Sequence, residues 1–177
     1  SITEIIRFIP DSLGILMHKT QELFVVSNEY VREEIVKFCM DLMNILPEQV
    51  HGVMPLIRLA CEDEGNRTRE CGFRGMASLV KTSRSCRPIV MQYIDAGCCD
   101  EFYTVRHATL CLIKAIINDD HGQAPYLMDS IVKACWDMHP SVRHKAIRLI
   151  EKTFQHIPEC AAQVLDSMKT ALTSATL

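Results

Sequence analysis

Seven histidines, nine cysteines and twenty-two acidic residues give this chain material for acid/base, nucleophilic or metal chemistry, so their spacing decides what they can do. A zinc protease helix needs His-Glu-x-x-His, and none of His18, His51, His107, His121, His139, His144 or His156 is followed by Glu. Structural zinc sites use paired thiolates, and there is no Cys-x-x-Cys. Cys61, Cys98 and Cys135 do recur 37 residues apart. Equivalent stacked helices lie ~8–10 Å from one another, whereas zinc holds sulfur at ~2.3 Å. Three such cysteines cannot share an ion, and they read as packing residues. No glycine-rich phosphate loop or nucleophile elbow occurs. Trp136-Asp137 pairs the sole tryptophan with a carboxylate, but that aspartate belongs to a recurring structural pattern. No catalytic residue, metal, cofactor or small-molecule substrate is therefore expected.

The recurring pattern is set by arginine. Arg32, Arg69, Arg106 and Arg143 stand 37 residues apart. Ala60-Cys61-Glu62-Asp63, Gly97-Cys98-Cys99-Asp100 and Ala134-Cys135-Trp136-Asp137 precede the last three in one register. A period of tens of residues marks stacked supersecondary units, each burying its neighbour's apolar face. After each arginine, apolar residues recur at offsets three and four, six and seven, ten and eleven: Ile35/Val36, Phe38/Cys39 and Leu42/Met43 in the first unit, and Ala146/Ile147, Leu149/Ile150 and, imperfectly, Thr153/Phe154 in the last. This is the period of one helix face. It predicts second helices at about 29–46, 66–82, 102–118 and 141–156. The intervening first helices carry Leu13, Leu16 and Leu23, then Val53, Leu56, Ile57 and Ala60, then run over about Pro88–Ala96 and Pro125–Trp136. Pro88 and Pro125 sit where a first turn needs no N–H donor. A final segment from Glu159 to about Thr173, with Val164, Leu165 and Leu172, reads as the first helix of a fifth unit. The fold expected is an all-α superhelix of about four and a half two-helix repeats with a 37-residue period, a single repeat domain over 1–177.

Composition agrees. Hydrophobic residues make up 48% and aromatics only 6%, which suits aliphatic helix packing. The formal net charge of −3 provides no global field for nucleic acid or an anionic membrane. No apolar run approaches the ~20 residues that span a bilayer. Scattered cysteines in odd number point to a reducing compartment, cytoplasm or nucleus. The start Ser1-Ile2-Thr3-Glu4 has neither a basic leader nor an initiator methionine, so the chain is expected to be a piece of a longer protein.

An Asp six residues before an Arg, with Val preceding that Arg and an apolar helix following, resembles the HEAT repeat family; armadillo units are close relatives. The carriers are Asp63/Arg69, Asp100/Val105/Arg106 and Asp137/Val142/Arg143. Pro55 stands fourteen residues before Arg69, where that family can place a bending proline, while His18, Gln92 and Asp129 hold the equivalent places. Val26 replaces the first Asp, and Thr68 the Val of the second unit. The resemblance implies that Arg32, Asp63, Arg69, Asp100, Arg106, Asp137 and Arg143 form a structural ladder between units. It also implies a scaffold whose second helices line the partner-binding face. On those helices Lys37, Arg74, Lys81, Lys114, Arg148 and Lys152 form a broken basic strip, suited to an acidic peptide or helix of another protein. Alternatives are a fragment of an importin-β-type transport receptor, a tubulin-binding HEAT module, or a HEAT-like enzyme acting on nucleic acid, the last requiring Asp137 to be free of its ladder partner. Self-association through the unpaired last helix is a further expectation.

Overall fold

The computed structural model of this protein describes residues 10–174; Ser1–Glu4 and the side chains of Leu13 and Leu172 lie outside what it describes. Among the described residues every regular element is helical, in ten α-helices joined by turns. Their contacts gather the chain into two compact units, Ser1–Met91 and Gln92–Leu177.

The first unit holds α1 (Pro10–Val26), α2 (Glu29–Ile45), α3 (Val50–Cys61), α4 (Asn66–Thr82) and the short α5 (Arg87–Met91). Asn28 caps α2 by accepting the Val31 amide at 3.1 Å, which satisfies one of the donors a helix start leaves open. Pro47 opens a 3-10 turn that leads into α3. Helix α4 packs on both α2 and α3, and α1 on α2 and α3. Val36 and Cys39 of α2, Leu56 and Ile57 of α3, and Met76 and Leu79 of α4 lose essentially all solvent contact between them. Each such aliphatic side chain contributes about 1.5–3 kcal/mol of burial. Two glycines set how closely α4 approaches α3. A Cβ on Gly72 would lie 2.6 Å from the backbone nitrogen of Cys61, and one on Gly75 would lie 2.7 Å from the tip of Ile57.

The second unit holds α6 (Ile94–Cys98), α7 (Tyr103–Asp119), α8 (Ala124–Ala134), α9 (Pro140–His156) and α10 (Cys160–Ser174). Helix α7 packs on α6, α8 and α9, and α8 packs on α9 and α10. Leu110, Leu112, Ile113 and Ile116 of α7, Leu127, Met128 and Ile131 of α8, and Val142 and Ala146 of α9 are all buried. Helix α10 buries Cys160 and Val164 and leaves Leu165 exposed.

The four second helices begin and end within one residue of the positions their periodicity predicts. Three local differences appear. The helix expected over Pro88–Ala96 is interrupted by a turn at Gln92–Tyr93, which divides α5 from α6. The buried series Val90, Tyr93, Ile94 and Gly97 runs through this turn. An i, i+3, i+4, i+7 spacing serves a broken helix as well as a continuous one, so the interruption has no periodic signature. Conversely, Pro55 lies inside the unbroken α3. Finally, Ile147 is 46% exposed although Val36, Phe73 and Leu110 at the same repeat offset are buried.

Candidate functional site

Each repeat arginine ties down the loop before its own helix. The Nη1 of Arg69 donates to the carbonyls of Asp63 and Glu64, both at 2.9 Å. That of Arg106 donates to Asp100 at 2.7 Å and Glu101 at 3.0 Å, and that of Arg143 to Asp137 at 2.7 Å and Met138 at 2.9 Å. Arg32 reaches the Ser27 carbonyl at 2.6 Å. The preceding aspartates form matching turns, with carboxylate oxygens accepting from the amides of Gly65, Phe102 and His139 at 2.8–2.9 Å. Asx turns of this kind close the connection and aim the next helix.

Arg106 and Arg32 also reach forward to the aspartate 31 residues on. In the second unit Arg106 forks onto Asp137, Nε to Oδ2 at 2.6 Å and Nη2 to Oδ1 at 2.8 Å. The side chains are only 15% and 9% exposed. That pairing raises the Arg106 pKa and holds the Asp137 carboxyl below its ordinary range. In the first unit Arg32 Nη2 donates to Asp63 Oδ1 at 2.9 Å, with Nε 2.7 Å from Oδ2 at a poorer angle. Asp137 is thus engaged on both oxygens, and Trp136 beside it is 53% exposed.

A second set of contacts, at the starts of the second helices, has no conspicuous sequence signal. Glu29 Oε1 accepts the Arg67 amide at 3.0 Å, so the first residue of α2 caps α4. At the equivalent repeat position Tyr103 opens α7 and stacks on His139, the residue before α9, with ring centroids 3.5 Å apart. Different chemistries thus serve one place in the repeat.

The basic strip divides. In the first unit Lys37 is held by Glu33 at 2.7 Å and Glu34 at 2.8 Å, which raise its pKa, and Arg74 by Glu70 at 2.7 Å. These partners lie on the same helices, and the pairs are solvated i, i+3 and i, i+4 contacts. Lys81 is exposed in the last turn of α4, where a cation suits the helix dipole. In the second unit Lys114 of α7 and Arg148 and Lys152 of α9 come together around an open cavity of about 460 Å³. Lys145 joins them, with Leu149, Glu151 and Gln155. Arg148 donates to His144 Nε2 at 3.1 Å and Lys152 to Asn118 Oδ1 at 3.3 Å, both polar partners without a carboxylate. Repeat offset does not pick out Lys145, which stands two residues after Arg143. Its signal was local: residues 145, 148 and 152 are spaced i, i+3, i+7 on one helix face.

Among the described residues no cluster of three or more His, Cys, Asp or Glu side chains has the geometry to hold a metal ion, and no helix is long and apolar enough to cross a membrane. All nine cysteines are free thiols. Burial pushes Cys39 and Cys98 up to about 12, which leaves them poor nucleophiles. In comparisons with known proteins, no family model matches the chain, and no curated protein sequence matches it.

Proposed function

We propose that the chain is an α-α superhelix of HEAT-like repeats that acts as a non-catalytic protein-binding scaffold. The observation that carries this reading is the repeated arginine device, which staples each connecting loop and, in both units, reaches an aspartate 31 residues ahead. Such a device standardises how one helical pair meets the next, which is the requirement of a stacked array. The sole tryptophan-carboxylate pair has its carboxylate committed to Arg106, which argues against its use in catalysis. What remains chemically open is surface, and the cation-lined cavity between α7 and α9 suits an acidic segment of a protein partner.

The test is affinity capture on the immobilised chain, identification of the retained protein, and calorimetry with the purified pair. A defined complex weakened by Arg148→Glu/Lys152→Glu and retained by Lys37→Glu/Arg74→Glu is expected. Binding of nucleic acid with steep salt dependence and of no protein would overturn the reading. A second reading places the partner on the turns of the second unit, because Phe102, Tyr103, Trp136 and Met138 are all exposed and are residue types that anchor interfaces. Under it, Met138→Ala/Trp136→Ala abolishes capture and the charge reversals do not.

A further inference from the structure

We propose that the cavity between α7 and α9 receives a phosphorylated side chain of a partner protein segment; this rests on the protein-binding reading above. Four cations, Lys114, Lys145, Arg148 and Lys152, line it against a single carboxylate, Glu151. Among the described residues none of the four has a carboxylate within ion-pair distance. That sets them apart from Lys37 and Arg74, whose charges are matched on their own helices. Three like charges at i, i+3 and i+7 repel one another, and Lys114 on the facing helix adds a fourth. All four cations line one cavity. A phosphate monoester brings close to two negative charges and three acceptor oxygens on one centre, which answers an excess of cations around one cavity better than a single carboxylate does. With Nε of Arg148 turned to His144, its two terminal nitrogens remain for a forked contact to phosphate. The buried Leu149 forms an apolar wall for the carrier side chain, and 460 Å³ accommodates it with its phosphate.

The experiment uses the whole chain against an array of phosphoserine-centred peptides, with matched serine-centred and glutamate-centred arrays and with inorganic phosphate as competitor. Phosphopeptides should bind about tenfold or more tighter than their glutamate counterparts, and Lys114→Gln/Arg148→Gln should lower that affinity by about tenfold or more. Side-chain nitrogen resonances of Lys114, Lys145 and Lys152 in the unaltered protein should shift on phosphopeptide addition, which locates binding without reliance on a variant's folding. Equal binding of phosphate- and glutamate-centred peptides would overturn phosphate recognition and leave the scaffold standing. So would phosphopeptide binding that leaves these lysines unmoved, or stronger competition by single-stranded nucleic acid than by phosphopeptide. Failure to capture any protein in the preceding experiment would remove both readings.

Discussion

At the scale of single residues the repeat arginine joins covalently distant loops with a set of bonds that lysine cannot reproduce. Arg106 donates to two carbonyls and to both oxygens of Asp137, all from one planar group. Arg106→Ala leaves the nearly buried Asp137 carboxylate with the His139 amide but without its charged partner, and takes the guanidinium from two loop carbonyls, so it should lower stability by about 2–4 kcal/mol. Arg106→Lys keeps charge but loses the fork, so most of that loss should remain; urea unfolding followed by circular dichroism measures both. The pH dependence has a definite sign. Because Asp137 is held below its unfolded pKa of about 3.9, the pair's contribution is complete above that pH and is lost as pH falls through the lower folded value. Asp137→Asn should therefore be less stable at neutral pH and should lose less stability between about pH 5 and pH 2 than the unaltered chain. The cysteines are ordered by exposure in the same way. Cys99 is exposed, whereas Cys39, Cys61, Cys71, Cys86 and Cys160 are buried. A disulfide reagent should label Cys99 first in the native protein and reach those five only on unfolding, which a timed thiol titration under native and denaturing conditions resolves.

Helices are the scale at which this chain is most legible. A 37-residue spacing combined with a 3.6-residue period placed the four second helices within a residue of their ends, because core burial repeats at the same offsets in each. The turn at Gln92–Tyr93 escaped that logic, since burial continues in phase across it. The candidate site was half legible: repeat offset picked out Lys114, Arg148 and Lys152 but not Lys145, whose membership depends on spacing within α9 rather than on recurrence between repeats. Offset also grouped them with Lys37 and Arg74, where neighbouring glutamates on the same turn cancel the charge. Glycine spacing carries information of another kind. Gly72 meets backbone of α3, which cannot yield without moving the helix, whereas Gly75 meets only a side chain, the Cδ1 of Ile57 at 2.7 Å and its Cγ2 at 3.1 Å. Alanine at either position gains about 1 kcal/mol in helix propensity, against an overpacking cost of about 1–3 kcal/mol or more. Gly72→Ala should be clearly destabilising and Gly75→Ala close to neutral, and thermal unfolding of the two variants side by side decides it.

For the whole molecule, the division into two compact units makes local damage separable. In chains built of repeated units, stability is approximately a sum of unit terms and nearest-neighbour terms, so a lesion is felt most where it lies. Trp136, the sole tryptophan, belongs to the second unit, while helical circular dichroism averages over both. The two signals therefore report different parts of one chain. Gly72→Ala strikes α4 in the first unit; its dichroism transition should broaden and begin at lower urea, while the Trp136 fluorescence midpoint moves less. Arg106→Ala strikes the second unit and should move the fluorescence midpoint at least as far as the dichroism midpoint. Coincident shifts of both probes in both variants would mean that the 177 residues unfold as one cooperative block, with the terms between units large enough to override the contact boundary at Met91.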